Sequence, residues 1–397
     1  MAAVERKDAL KYVKFGNTDM MVSQVCAGTM TWGSFNADEA EAHKQLDALV
    51  GMGVNFFDTA ELYPVAFNYG KTTETWIGNW LEKNPGRREK IYLATKCNPA
   101  GIGGHGEPHA FEAETLLASC KSSVERLRCG AIDLYYLHFP TRNCPLFGCA
   151  SFYPDKNRPF KCTSDGTPAD FERQVLAVKG LFDAGLIKNW GLSNENAFGV
   201  TMFCTTCDRL GVPRPCCVQN DYSLVNRTYE SDTYEACHRF GLVGCPYGAL
   251  AGGVLTGKYF DKTEVSSKAN ADRGLEKCRM RATPEFQPRY GMPMVMKATE
   301  KYRALAAKYG LSPCELALAY AIHAPVNAAV IIGTTTVKQC EECVGAFKLV
   351  LPEALLMEID AIHEEFRNPS CFYADKPTCV KASWLPEKGR SATEVDA

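Results

Sequence analysis

Short apolar runs bounded by turn residues alternate along this chain with segments of helical periodicity, and that alternation limits the fold more than any other feature. Eight runs fall at 22–27, 54–58, 91–96, 134–138, 189–192, 217–220, 243–247 and 329–332. Helical patterns fall at 37–51, 72–84, 112–128, 168–184, 197–210, 229–240, 294–323, 337–346 and 353–366. A short run that is apolar on both faces reads as a strand buried within a parallel sheet. Strands alternating with helices predict an α/β fold built on such a sheet, and closure into a barrel is compatible with the order. Asn36-Ala37-Asp38-Glu39, Ser312-Pro313-Cys314-Glu315 and Thr336-Val337-Lys338-Gln339 have capping-box spacing at three helix starts. Pro313 suits the first position of its helix. Residues 12–15 and 20–22 flank Gly16-Asn17-Thr18-Asp19, which predicts a small hairpin ahead of the sheet.

At 397 residues the chain has length for two domains, but α/β barrels often run this long as one. The net charge of −2 gives no basic footprint for nucleic acid. The first residues, Met1 to Asp8, are too polar for a secretory signal. Residues 240–257 are uncharged and about long enough to span a bilayer. Pro246 and the glycines there favour a strand followed by a glycine-rich loop, so no membrane association is expected. Nineteen cysteines without a signal peptide point to reduced thiols and a cytoplasmic location. The pairs Cys204/Cys207 and Cys340/Cys343 lie on different predicted helices, so small buried apolar residues are expected there and no metal site.

Four polar residues stand at or just after the ends of neighbouring predicted strands. Asp58 ends the second run, Lys96 the third and His138 the fourth, and Tyr63 lies in the turn after Asp58. Strand C-termini of an α/β barrel share one face, where active sites are built. A carboxylate, a phenol, an ammonium and an imidazole meeting there suit protonation of a carbonyl oxygen. A free tyrosine has a pKa of about 10. A nearby ammonium favours the phenolate, so Lys96 is expected to lower the Tyr63 pKa, with Asp58 holding Lys96 in place. His138 would orient the substrate oxygen.

Asp58-Thr59-Ala60-Glu61-Leu62-Tyr63, Thr95-Lys96 and Leu137-His138 resemble the tetrad motifs of the aldo-keto reductases. Gly191-Leu192-Ser193-Asn194, Gln219-Asn220-Asp221-Tyr222-Ser223, Leu255-Thr256-Gly257-Lys258-Tyr259 and Ile332-Gly333-Thr334-Thr335-Thr336 continue the match. Ala60-Glu61-Leu62-Tyr63-Pro64-Val65, Gly78-Asn79-Trp80-Leu81 and the stretch from Ser193 to Val200 are most similar to the Tas-like, NADP(H)-dependent subgroup. The resemblance implies a (β/α)8 TIM barrel over 12–367, with an N-terminal hairpin, long loops on the C-terminal face and a C-terminal tail at 368–397. It implies reduction of aldehydes or ketones to alcohols by hydride from NADPH, with Asp58, Tyr63, Lys96 and His138 catalytic. Trp32, Tyr63 and His138 would line the pocket for a small carbonyl substrate. Thr29, Met30 and Asp58 would contribute to cofactor binding. Ser193, Asn194 and Gln219 would hold the nicotinamide amide, and Tyr247 would stack on the ring. Gly248, Leu250, Gly252, Lys258 and Arg281 would lie along the pyrophosphate side, with Arg279 able to replace Arg281. Gly333, Thr335, Lys338, Gln339 and Glu342 would grip the adenosine part. Gly248-Ala249 departs from the family's Ser-Pro, Thr335 stands in a loop that often carries Arg or Lys, and Cys343 replaces an Asn.

Barrels often bind phosphate after strands seven and eight near a helix N-terminus, so Gly333-Thr334-Thr335-Thr336 and Lys338 suit that role on physical grounds as well. Gly101-Ile102-Gly103-Gly104-His105-Gly106 matches a dinucleotide fingerprint. Glu107-Pro108 follows where a helix should open, so a flexible loop is expected. His105 and His109 share that loop, and no metal role is expected. Long connections at about 97–111, 139–167 and 256–293 should surround the barrel mouth. Cys144, Cys149 and Cys162 lie in the second of them, where a loop folded over itself would bury them and an open one would leave them more exposed to oxidants than the barrel cysteines. A nicotinamide-binding redox sensor on the same fold, similar to potassium-channel β subunits, is the alternative function. Those proteins have Asn where this chain has His138, which favours the enzyme.

Overall fold

A computed structural model describes residues 3–33, 38–64, 72–99, 109–150, 152, 162–260, 278–283 and 286–371. Eight parallel strands form the central sheet: β1 Val25–Gly28, β2 Phe56–Asp58, β3 Tyr92–Cys97, β4 Leu134–Leu137, β5 Trp190–Ser193, β6 Cys217–Gln219, β7 Val243–Gly244 and β8 Val330–Gly333. Neighbours pair in sequence order, and β8 pairs back to β1 with Val330 opposite Val25 and Gly333 opposite Gly28. The seam between β7 and β8 is drawn together by a parallel bridge from Gly244 to Asn327. Backbone bonds from Ala328 N to Gly244 O and from Ile331 N to Pro246 O, both 2.9 Å, extend it. The expected (β/α)8 barrel is therefore present.

Around it lie α1 Glu39–Gly51, α2 Thr72–Lys83, α3 Ala113–Leu127, α4 Pro168–Asp183, α5 Ala197–Leu210, α6 Thr233–Phe240, α7 Pro293–Lys308, α8 Pro313–His323, α9 Val337–Ala346 and α10 Glu353–Glu365. Strand residues face the helices and the barrel interior alternately. The helix-facing set, including Val25, Phe57, Leu93, Tyr135 and Leu192, belongs to the large core. Cys26, Phe56, Ala94, Leu134, Tyr136 and Cys217 fill the interior, joined by Phe15, Met20 and Val22 from the hairpin that plugs its base. The hairpin pairs Tyr12–Lys14 with Met21–Ser23, as expected. At Gly191 a Cβ would fall 2.8 Å from the Tyr136 ring and 2.7 Å from the Cys217 sulfur, so glycine there makes room for an interior tyrosine.

Several boundaries differ from the sequence reading. The run at 22–27 divides at Gln24, because its first part pairs in the hairpin and its second in the barrel. The pattern at 294–323 divides into α7 and α8 after Gly310, which has φ +68°, and α8 opens with the expected Ser312–Glu315 capping box. The cap of α1 is Asp38, whose side chain accepts from Glu41 N at 2.8 Å. Asn36, the expected cap, lies outside the described residues, as do 100–108 with their glycine motif and His105, most of 151–161, 261–277, and the tail from 372. The start of the expected tail packs down. Ser370 is buried and bonds Val225 O through its N–H and its hydroxyl. Among the described residues no helix is long and apolar enough to cross a membrane.

Candidate active site

The same two-residue alternation that fills the barrel interior builds the site above it. Two residues beyond Phe56, Ala94, Tyr136, Gly191 and Cys217 come Asp58, Lys96, His138, Ser193 and Gln219. A layer of apolar side chains is thus followed, toward the strand C-termini, by a layer of polar ones. Lys96 is fully buried. Its Nζ donates to an Asp58 carboxylate oxygen, to Thr59 O at 2.7 Å and to the Tyr63 hydroxyl at 3.3 Å. The other Asp58 oxygen accepts from Gln219 Nε2 at 2.9 Å. Every proton of the ammonium has a partner, which is what a charge in this setting requires.

Burial pulls the Lys96 pKa down, but the Asp58 carboxylate and Tyr63 outweigh it, so the amine is held charged. The expectation for Tyr63 is corrected. Burial raises its pKa, the Lys96 ammonium pulls it back in part, and Asp58 pushes it up again. The net direction is upward because the phenol packs with Ala60, Leu62 and Phe139, where a phenolate would lose its hydration. Tyr63 therefore keeps its proton through neutral pH. His138 is buried, stacks on Phe139 at 4.2 Å and meets the Tyr63 ring edge-on at 5.8 Å. Burial, and then the Lys96 charge, hold its pKa well below the ordinary histidine value, so the ring is neutral. Its Nδ1 is buried without a partner among the described residues. Phe139 meets Phe147 edge-on at 5.6 Å, and half-buried Met30, Phe147 and Phe286 pack on this cluster. Trp32 is fully enclosed, its indole nitrogen without a partner among the described residues.

The residues expected at the nicotinamide end come together. Ser193 Oγ donates to Gln219 O at 3.0 Å. Asn194 has φ +59°. Its Nδ2 donates to His138 O at 2.9 Å and to Ser193 Oγ at 3.0 Å, and its Oδ1 accepts from the Tyr247 hydroxyl at 2.7 Å. Thr29 Oγ1 donates to Asp58 O at 3.0 Å, which brings the end of β1 beside the tetrad. Gly248 has φ +78°, and a Cβ there would fall 2.4 Å from Asp221 Oδ1, so the departure from Ser-Pro fits a site with room only for glycine. Leu250 and Gly252 follow in a tight turn where Gly252 and Gly253 have φ +64° and +93°. The Lys258 ammonium folds back beside Gly253, where a Cβ would be 2.9 Å from Nζ. Arg281 is exposed on a short helix, Arg279–Ala282, while Arg279 is half-buried.

Gly333 ends β8 and is exposed, with no described residue within 4 Å of where a Cβ would lie. Thr336 caps α9, accepting from Gln339 N. Gln339 does not complete the box. Its oxygen accepts instead from Thr335 N and Thr335 Oγ1, both at 2.9 Å, and this shapes the loop. Lys338 and Glu342 are exposed on α9. Thr31 Oγ1 donates to Thr334 O at 3.1 Å and joins this loop to the one after β1. This donor set fits a dinucleotide phosphate. It joins an open glycine, a hydroxyl-rich loop and a lysine at a helix N-terminus, with two further positive-φ glycines and a lysine in the loop that follows the neighbouring strand β7.

Comparison with known proteins agrees with this geometry. A family model described as "Aldo/keto reductase family" matches residues 24–364. The chain belongs to the aldo/keto reductase family. It is 33% identical over 366 residues to Protein tas of Escherichia coli (strain K12), covering 91% of this chain and 100% of that protein. It is 28% identical over 356 residues to "Uncharacterized oxidoreductase YrpG" of Bacillus subtilis (strain 168), covering 89% and 96%. Over 262 residues it is 28% identical to an "Aldo-keto reductase" of Babesia bovis, covering 64% and 88%.

The sequence reading misses three features of this face of the barrel. Phe139, Phe147 and Phe286 form an aromatic wall beside Tyr63, and only the adjacency of Phe139 to His138 signals it. Asp221, Arg289 and Tyr290 form a buried cluster, with Arg289 Nε 3.0 Å and the Tyr290 hydroxyl 2.7 Å from Asp221. Arg142 and Glu195 form a buried ion pair. Cys144 is buried beside that pair, as in a loop folded over itself. Cys149 is half-buried, and Cys162 is exposed. Cys204 and Cys207 are buried in α5, where desolvation pushes both thiols up to about 12. Cys340 and Cys343 are buried in α9.

Proposed function

We propose that this protein reduces aldehyde or ketone groups to alcohols with NADPH, Tyr63 serving as the proton donor. The observation that carries the reading is the buried Lys96, held by Asp58 and donating to the Tyr63 hydroxyl, in one layer with Gln219 and Ser193. NADPH, when bound, supplies the hydride. Negative charge then grows on the carbonyl oxygen, and a proton must meet it. The protonated phenol gives that proton, and Lys96 stabilises the phenolate left behind. Neutral His138 has one ring N–H, with which it orients the carbonyl oxygen against the Tyr63 hydroxyl. Asp58 keeps Lys96 charged and fixes its direction. Phe139, Phe147, Phe286 and Met30 exclude water and present an apolar wall to a small carbonyl substrate. Trp32, enclosed in the main core, would back the substrate pocket.

For the cofactor, Ser193, Asn194 and Gln219 would hold the carboxamide and Tyr247 the ring. Thr29, Met30 and Asp58 would lie beneath. Gly248, Leu250, Gly252 and Lys258 would follow the pyrophosphate, with Arg279 better enclosed for that purpose than Arg281. Gly333, Thr335, Lys338, Gln339 and Glu342 would take the adenosine end. Many buried thiols suit a reducing compartment, and the cytoplasm goes with this reading. The test follows NADPH absorbance with a panel of aldehydes and quinones at saturating cofactor. Carbonyl-dependent oxidation of NADPH is expected. Tight NADPH binding with no turnover of any carbonyl would overturn the proposal.

A further inference from the structure

We infer that the buried Arg142–Glu195 ion pair is a positioning device that fixes Asn194, and through it the carboxamide end of the cofactor site, against the loop carrying His138. The inference rests on the function proposed above. Arg142 lies four residues beyond His138, and Glu195 directly follows Asn194. The two groups meet fork to fork, Nη1 to Oε1 and Nη2 to Oε2, both at 2.8 Å. Nη2 also reaches Asn196 Oδ1 at 3.0 Å, and that same oxygen caps α5 by accepting from Gly199 N at 3.0 Å. Asn220, next to Gln219, donates from Nδ2 to Glu195 O at 2.6 Å. The pair therefore ties together the loops after β4, β5 and β6.

The fit leaves no slack. A Cβ at Gly199 would fall 1.9 Å from Glu195 Oε2, and one at Gly166 would fall 2.7 Å from Arg142 Cδ. The guanidinium lies 5.4 Å from the Phe171 ring centroid and 5.3 Å from that of Phe198. Between the two tied loops, Asn194 holds a left-handed backbone and bonds His138 O and the Tyr247 hydroxyl. A buried ion pair is poor value as a source of stability, since well-packed apolar residues of similar volume often replace it without loss. What an apolar pair would not reproduce is the direction of the two forks and the bond to Asn196. Displacing Asn194 would move His138 O and Tyr247 with it, and small misplacements are costly for transfer chemistry.

The experiment compares wild type, Arg142→Lys and the double variant Arg142→Met/Glu195→Met. The readouts are melting temperature, NADPH affinity by fluorescence, amide exchange at residues 194–196 without cofactor, and turnover. The double variant should melt near wild type while its Kd for NADPH rises about tenfold. Exchange at 194–196 should quicken, and kcat should fall by up to about 10²-fold with little change in KM for the carbonyl. Arg142→Lys, which keeps charge but loses the fork, should fall between. A folded double variant with wild-type NADPH affinity and turnover would overturn this inference alone. A wild-type protein that binds no nicotinamide cofactor would overturn it together with the proposed function. Should the double variant fail to fold, Arg142→Lys decides. A lowered melting temperature with wild-type affinity and exchange would mark the pair as structural only.

Discussion

Tyr63 and His138 are both kept uncharged by their surroundings, and each has a measurable consequence. Tyr63 holds its proton because burial outweighs the pull of Lys96. Tyr63→Phe keeps the ring and its packing and removes only the transferable proton. Carbonyl reduction should fall by about 10²-fold or more while NADPH still binds. Near-normal turnover of an ordinary aldehyde would remove Tyr63 from its role. His138 has its pKa depressed in the folded state by burial and by Lys96, against about 6.5 when unfolded. Above that value both states are neutral and the residue adds no pH dependence. Below it the unfolded chain takes up a proton that the folded chain refuses, so stability falls as pH falls. One such proton is worth up to about 1.4 kcal/mol per pH unit. Between pH 6.5 and 5, denaturant unfolding of His138→Gln should lose less stability than wild type. Parallel curves for the two proteins would show that His138 is protonated in the folded state.

Helix ends and helix contacts carry the next set of consequences. Lys338 is exposed in the first turn of α9, beside a loop shaped by Thr335 and Gln339. A 2′-phosphate there would gain charge-assisted hydrogen bonds. NADPH should therefore bind more tightly than NADH, and Lys338→Ala should narrow the difference. Equal affinities in the wild type would contradict the placement of the adenosine end. Between α2 and α3 the backbones nearly touch, since a Cβ on Gly78 would lie 2.0 Å from Arg126 O. The same junction holds buried Glu74, which accepts from Arg126 Nε at 2.7 Å and Thr95 Oγ1 at 2.6 Å. Gly78→Ala must push the helices apart and should cost about 1–3 kcal/mol of stability, with turnover per folded molecule unchanged. An unaltered thermal melt would show that the junction yields freely. Element boundaries were legible where two signals agreed, as at Ser312–Glu315 with Pro313. They were not where spacing alone was ambiguous. Asn36 and Asp38 each stand three residues before a glutamate, and only the second is the cap in the structure.

The alternation of buried strands with helices made a parallel α/β sheet legible, while closure into a barrel rested on the resemblance of the motifs to a known family. Asp58, Lys96 and His138 could be read from their places at the ends of neighbouring predicted strands, and Tyr63 from the turn after Asp58. Contacts between loops could not. Arg142 and Glu195 are 53 positions apart, and neither their types nor their spacing announces a pair. The direction of the Tyr63 shift also escaped the sequence, because it depends on how completely Ala60, Leu62 and Phe139 enclose the phenol. All of these parts converge on a single claim, that hydride passes to a carbonyl carbon at the mouth of this barrel. The most direct measurement uses NADPH carrying deuterium at the transferable position of the nicotinamide ring, with the product alcohol analysed by mass spectrometry and NMR. The account predicts one deuterium on the carbinol carbon, formed by wild type and nearly lost with Tyr63→Phe. Bound cofactor with no deuterium delivered to any carbonyl would contradict it.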